Sequence, residues 1–304
     1  MTRRPSASTP AVLVCVLVLF VASAARAQQP PPAPPDSAPA PTAQAPSTDD
    51  DGQLDPIEPD FSIINLPTTL RLPRHGGDFH LTHRFNLNLE CDASETSCFS
   101  DKVSGLFGLD SGANIGLEFR WGVIRHLQAI VTRTSLGQNI QFAGKYDAWH
   151  QNESHPISIS AIASVEGNFN FGASTPDNVE THYSPALGVV LSRKVGHVLA
   201  VYVDPFWVHN TAAEGLPKRD TGFVGLGARL RIRPDTFLLG EVSPRIGGLV
   251  IRDPQFAFAI EKRVGGHVFA LTFTNNPGTT YGQISQGGNP GTLNLGFNLT
   301  RKFF

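Results

Sequence analysis

The sequence predicts an all-β fold, a transmembrane antiparallel up-and-down β-barrel of about twelve strands, from three observations. Runs of alternating apolar and polar residues recur from residue 78 to 304, and the links between them are short and long by turns. An export signal opens the chain, and a strand with one greasy face closes it. Composition agrees. Only 16% of the 304 residues are charged and the formal net charge is −2, which leaves no electrostatic footprint for nucleic acid. Gly (29) and Phe (20) are plentiful and Met (1) is nearly absent, whereas a helical bundle draws on Leu, Ala, Lys and Glu.

Residues 1–27 read as a secretory signal peptide. Arg3 and Arg4 supply positive charge, Ala11 to Ala22 form the apolar core, and Ala25-Arg26-Ala27 is a small-x-small cleavage site. The core falls short of the ~20 residues a spanning helix needs, so cleavage after Ala27 is expected. Cys15 lacks small residues before it, which argues against a lipid anchor, and Arg3-Arg4 lacks the apolar residues of a twin-arginine signal. Residues 28–60, rich in Pro, Ala, Gln, Ser and Thr and carrying Asp49-Asp50-Asp51, predict a disordered linker. Residues 61–77 differ, with Ile63, Ile64, Leu66, Leu70 and Leu72 set among three basic residues and two prolines. This segment reads as a lead-in packed at the barrel rim or as a small plug.

The barrel proper is expected over 78–304. Phe79, Leu81, Phe85, Leu87 and Leu89 alternate with His80, Thr82, Arg84, Asn86, Asn88 and Glu90. Ile115, Leu117, Phe119, Trp121 and Val123 follow, then Leu127, Ala129 and Val131, then Ile140, Phe142, Tyr146 and Ala148. Further strands are expected at Ile157–Phe169, Tyr183–Leu191, Leu199–Trp207, Val224–Arg233, Phe237–Pro244, Phe256–Val264 and His267–Thr274. In the closing strand Leu293, Leu295, Phe297, Leu299 and Phe303 share one face, and Asn294, Gly296, Asn298, Thr300 and Lys302 the other. Leu295, Phe297, Leu299, Phe303 and Phe304 resemble the terminal signal by which bacterial outer-membrane proteins are recognised for assembly, although Phe304 is one residue out of phase.

Short links at Arg125-His126, His150–His155, Lys194–His197, Arg233–Thr236 and Val264–Gly266 alternate with longer ones, apart from a brief second outer loop at Ser135–Asn139. Short periplasmic turns and long outer loops sort this way in barrels. Twelve strands leave the linker and Phe304 both periplasmic, and place Trp121, Trp149 and Trp207 near the two interfaces.

Four stretches carry a resemblance. Ile64-Asn65-Leu66-Pro67-Thr68-Thr69, Leu106-Phe107-Gly108-Leu109-Asp110-Ser111-Gly112-Ala113-Asn114, Gly265-Gly266-His267-Val268-Phe269 and Leu271-Thr272-Phe273-Thr274-Asn275 are similar to motifs of a bacterial outer-membrane β-barrel family catalogued only as a domain of unknown function. The resemblance runs from about residue 60 to the end. It implies location and fold, and no reaction.

Chemistry is sparse, and no cofactor, metal or catalytic set is expected. Cys91 and Cys98, in the first long loop, predict a disulfide in an oxidising compartment. His182-Tyr183-Ser184 resembles the His-x-Ser signature of outer-membrane lipid A deacylases, but Pro185 replaces the Asn, and the phase aims both side chains away from lipid. His126, His150, His155, His197 and His267 fall in or beside turns without helical His-x-x-x-His spacing. The inward face is more informative: Arg84, Glu90, Glu118, Arg120, Lys145, Asp147, Glu166, Lys194, Arg229, Arg231, Glu241, Arg245, Glu261, Arg263 and Lys302 are expected to line the lumen. Opposite charges there should pair, because an isolated buried charge is costly. A basic stripe of Arg229, Arg231 and Arg233 would favour anions. The function expected is a narrow porin or solute channel; the alternatives are a scaffold that docks a periplasmic or surface partner, and a lipid-acting enzyme using His182 and Ser184. The partners expected are membrane lipid, the outer-membrane assembly machinery and a small solute.

Overall fold

The computed structural model describes residues 56–91, 98–168, 183–211, 217–249 and 252–304. The expected signal peptide, the linker up to residue 55 and His182 lie outside the described residues.

Twelve antiparallel strands close into a ring. They are β1 (Gly77–Asn88), β2 (Ala113–Ile124), β3 (Leu127–Thr134), β4 (Asn139–Trp149), β5 (Ser158–Asn168), β6 (Tyr183–Val195), β7 (Leu199–Thr211), β8 (Arg219–Arg233), β9 (Thr236–Ser243), β11 (Gln255–Val264), β12 (His267–Thr274) and β13 (Asn294–Phe303). A three-residue strand, β10 (Arg245–Gly247), carries β9 onward past Pro244 and stays on β8. Each strand pairs with its neighbour in sequence, and β13 returns to β1 with Gly77 opposite Phe303 and Leu81 opposite Leu299. Closure leaves no free sheet edge, which is what permits a sheet to stand in lipid.

Side-chain phase follows the sequence. In β13 the even positions Asn294, Asn298, Thr300 and Lys302 are buried inside, while Phe297 and Phe303 are exposed outside. The lumen wall has two characters. Strands β13 and β1 to β4 present His80, Arg84, Arg120, Gln128, Lys145 and Thr300. Strands β5 to β9 instead turn Ile162, Val190, Phe206, Phe223, Phe237 and Leu239 inward, and Ala257, Ala259 and Ala270 continue this apolar half.

What covers the apolar half is the chain's own N-terminal segment. Residues 57–72 run inside the ring: Phe61, Ile63, Ile64 and Leu66 are 0–1% exposed, and Ile63, Ile64 and Leu66 join the apolar wall in one cluster. The segment is a hairpin. Ser62 pairs with Pro67, the Ile63 N–H donates to the Leu66 carbonyl at 2.8 Å, and the Thr68 N–H donates to the Phe61 carbonyl at 2.9 Å. Of the rim and the lumen, the lumen is therefore where residues 61–72 lie. Ile57, Glu58 and Asp60, assigned by composition to the linker, are buried there as well. The physical reason is that a twelve-strand ring is too wide for its own side chains to fill, so apolar inward residues need a separate partner.

From the opposite mouth the segment between β12 and β13 folds inward. Its helix, Tyr281–Ser285, is entirely buried and starts with a capping box in which Thr280 and Gln283 satisfy each other's backbone.

Two wall glycines admit the hairpin. A Cβ on Gly225 would meet the Leu66 side chain at 2.8 Å, and one on Gly227 would meet Ile63 closer still. Gly227→Val should therefore lower stability by about 1–3 kcal/mol, read as a lower temperature for the heat-induced gel shift of the folded barrel. Gly240→Val, at a position with nothing within 4 Å, should leave that temperature unchanged.

Candidate functional site: a plugged lumen

The hairpin tip is held by a carboxylate. In the turn at Ile64, Asn65 and Leu66 three successive backbone N–H groups converge and donate to Glu241 Oε2 at 3.2, 3.0 and 3.1 Å. Asn65 Nδ2 donates to Glu241 Oε1 at 2.7 Å. Consecutive N–H groups in a turn form a concave anion cradle, and here the anion comes from inward-facing Glu241 of β9.

The rest of the hairpin is held by cations. Arg120 donates to the Phe61 carbonyl and Ser62 Oγ, Arg229 to the Ser62 carbonyl at 2.8 Å, and Lys145 to the carbonyls of Thr68 and Leu70 at 2.8 and 2.6 Å. Arg84 donates to Asn65 Oδ1, and Lys302 to the Pro59 carbonyl. Arg120 and Lys302 also flank the Phe61 ring, each 5.7 Å from its centroid. Three of these cations have wall carboxylates too: Arg120 with Glu118 at 2.6 Å, Lys145 with Asp147 at 3.1 Å and Arg229 with Glu261 at 3.0 Å. A buried charge is tolerable when paired and hydrogen-bonded, and the hairpin supplies the acceptors that the wall lacks.

Hydroxyl groups fix the two ends. Thr300 donates to Asp60 Oδ2 at 2.8 Å, Tyr202 donates to Glu58 Oε1 at 2.7 Å, and the hydroxyls of Thr69 and Ser192 lie 2.5 Å apart. At the other mouth Glu166 receives the Gly282 N–H at 2.9 Å and the Thr280 hydroxyl at 3.0 Å, together with Asn139 and Gln141. Burial raises the Tyr281 phenol above its ordinary value, so the ring that stacks on Phe206 stays neutral. Between hairpin and inward loop remains a cavity of about 20 Å³, bordered by Ser62, Asn65, His80, Thr82 and Glu118. That volume holds about one water molecule.

The inward positions expected at Arg84, Glu118, Arg120, Lys145, Asp147, Glu166, Arg229, Glu241 and Glu261 all face the lumen. Lys302 is buried with them, Lys194 and Arg245 are half-exposed, and three others do not join them. Glu90 is exposed beyond the end of β1, whose ladder is irregular after Arg84. Arg231 is half-exposed and donates to the Pro234 carbonyl of its own turn, and Arg263 is half-exposed one residue before the β11 turn. Of the expected basic stripe, Arg229 is buried and paired with Glu261, while Arg233 is exposed. The three arginines differ because the alternation continues past the point where the wall faces the lumen.

Cys91 and Cys98 are joined as a disulfide with Cα atoms 5.7 Å apart. Ser184 points inward and donates to the Asn210 carbonyl at 3.1 Å. The five turn histidines fall on four turns, His150 and His155 sharing one, and among the described residues no three His, Cys, Asp or Glu side chains gather as a metal set. Leu295 and Leu299 are half-exposed and Phe297 and Phe303 exposed on the outer face of the terminal strand, and Phe304, just past its end, is exposed as well. Sequence reasoning missed Asp60, Asp78, Asp204 and Asn65, all buried. For Asp78 and Asp204 the signal was available, since both stand in the inward phase of β1 and β7.

Comparison with known proteins adds the following. A family described as a membrane-bound β-barrel domain (DUF5777) matches residues 60–303. Among solved structures, the COG4313 outer membrane channel from Pseudomonas putida F1 aligns at 12% identity and a TM-score of 0.47, over 76% of this chain and 97% of that one. The NanC porin aligns at 8% and 0.46 over 75% and 99%, and Omp33 from Acinetobacter baumannii at 8% and 0.39 over 75% and 98%. No curated protein matches the chain.

Glu241→Ala would leave three buried N–H groups without their acceptor, at a cost of about 1–3 kcal/mol. Amide exchange at Ile64, Asn65 and Leu66 should then rise about tenfold or more, and unchanged exchange would show that Glu241 does not hold the tip.

Proposed function

Since the chain belongs to the DUF5777 family of membrane-bound β-barrel domains, we propose that it is an outer-membrane solute channel held shut by its own N-terminal hairpin. The supporting observation is the fit between hairpin and wall. Cations from five separate strands end on oxygen atoms of the hairpin. Without the hairpin those groups would need water, and a ring of twelve strands has room for it. The wet passage so formed would be charged with both signs, because Arg120, Lys145 and Arg229 keep their carboxylates.

Energetics decide how often it opens. Burial of Phe61, Ile63, Ile64 and Leu66 is worth roughly 1.5–3 kcal/mol each as an upper estimate. Thermal opening is therefore rare, and the resting barrel is electrically silent. Opening needs a pull on the chain preceding Ile57 or a ligand that competes for the same groups. No catalytic step belongs to this reading. A scaffold that docks a partner through residues 61–77 has less support, because residues 61–70 and Leu72 are buried and only Arg74 and His75 of that segment are exposed.

In planar bilayers the full chain should give no steps, whereas Glu241→Ala combined with Asn65→Ala should give them. Thr69→Cys with Ser192→Cys, whose hydroxyls lie 2.5 Å apart, should close that variant again until reductant is added. Silence from every variant that retains the heat-induced gel shift of a folded barrel would remove the channel reading.

A further inference from the structure

The wall grips the hairpin largely by its main chain. Lys302, Arg120 and Arg229 donate to the carbonyls of Pro59, Phe61 and Ser62, and Lys145 to those of Thr68 and Leu70. Two neutral amides act alike, Asn298 on the Ile64 carbonyl at 2.9 Å and Gln128 on that of Leu70 at 3.0 Å. Glu241 takes the N–H groups of Ile64, Asn65 and Leu66. Every polypeptide carries these carbonyls and N–H groups, so this part of the fit is independent of the guest's side chains. The other half of the wall supplies the preference: Val190, Phe223 and Leu239 form one apolar cluster with Ile63, Ile64 and Leu66. A small inorganic anion would satisfy the cations but be repelled by Glu241, and an oligosaccharide would leave the apolar half without a matching surface.

One wall group calls for something the hairpin does not carry. Asp78, in the inward phase of β1, is buried, and neither carboxylate oxygen has a hydrogen-bond partner. It stands opposite Lys302 in the β1–β13 ladder, and Lys302 reaches the Pro59 carbonyl. A buried carboxylate without a partner is costly. The chain passes this level without an end and so brings no ammonium to it. A free peptide in the same place would bring one, its N-terminus.

We propose that the lumen is a peptide site. With the hairpin withdrawn it takes a short apolar peptide, the main chain on Arg120, Lys145, Arg229 and Glu241, and the terminal ammonium on Asp78. The hairpin is a tethered copy of that solute, and the resting barrel is the self-occupied state. Passage of the peptide rests on the channel reading above, whereas its binding is measured separately. A tethered segment acts at an effective concentration in the millimolar range, so micromolar peptide leaves the native chain plugged.

Ile63→Asp with Leu66→Asp sets carboxylates into the apolar cluster and expels the hairpin, while every wall group stays as it is. Ile64→Asp with Leu66→Asp is a second expelling pair if the first folds poorly. Folding is read from the heat-induced gel shift and release from faster amide exchange at Thr68. The full chain in detergent is titrated, by fluorescence anisotropy, with two peptides labelled at the C-terminus: one with the sequence of residues 57–72, and an apolar one of equal length and unrelated sequence. Both should bind the released variant saturably, neither should bind the native chain, and maltohexaose should displace neither. Adding Asp78→Asn should weaken each free-amine peptide about tenfold and leave its N-acetylated form unchanged. Binding of the residue 57–72 peptide alone would show a wall fitted only to its own hairpin and overturn the proposal, as would binding of neither peptide or displacement by maltohexaose. Equal loss for free and acetylated forms would remove Asp78 from the site. Peptide binding by a released variant that gives no steps in planar bilayers would sink the channel reading and leave the peptide site standing.

Discussion

The interaction on which the structure depends is the meeting of wall cations with hairpin oxygens. A polypeptide folded back inside a barrel carries peptide groups into a space that excludes most water, and each needs a partner. A wall carrying arginine and lysine has the opposite need. Arg120, Lys145, Arg229 and Lys302 meet it by donating to carbonyls between Pro59 and Leu70, and Glu241 takes the N–H groups of the tip. Neither set would be stable where it stands without the other. Removing one partner leaves a buried group unsatisfied, which costs more than the bond itself contributes.

Burial of apolar surface adds to this and sets the hairpin's orientation. Ile63, Ile64 and Leu66 lie against the half of the wall that carries Val190, Phe223 and Leu239. The backbone carbonyls of the hairpin reach cations on both sides of the ring. A hairpin turned around its axis would place isoleucine against arginine and carbonyls against phenylalanine. Polar satisfaction and apolar burial select the same pose, and agreement between levels marks a single native arrangement.

The two faces of the wall answer to different solvents, and strands β5 to β8 are the exception. There both faces are apolar over part of their length, with Ile162, Phe206 and Phe223 behind Leu187, Val189 and Pro205. A strand apolar on both sides has no polar alternation to specify its register. The ladder at Pro205 loses its pairing in this stretch, so local weakness and a continuous apolar path coincide.

Periodicity alone determined the strands, their count, their inward and outward faces and most of the charged lining, because a closed antiparallel ring repeats one rule every two residues. It could not set where the hairpin lies. The apolar side chains of residues 61–72 read the same at a rim or in a lumen. The clue stood on the wall, where Phe206, Phe223, Phe237 and Leu239 occupy inward positions that a water-filled barrel would leave polar. Nor could it tell Arg229, held by Ser62 and Glu261, from Arg231 two residues on, which turns back to Pro234. Alternation states which face a residue joins. How far the wall extends and what fills it are long-range contacts, and only the closed tertiary structure decides them.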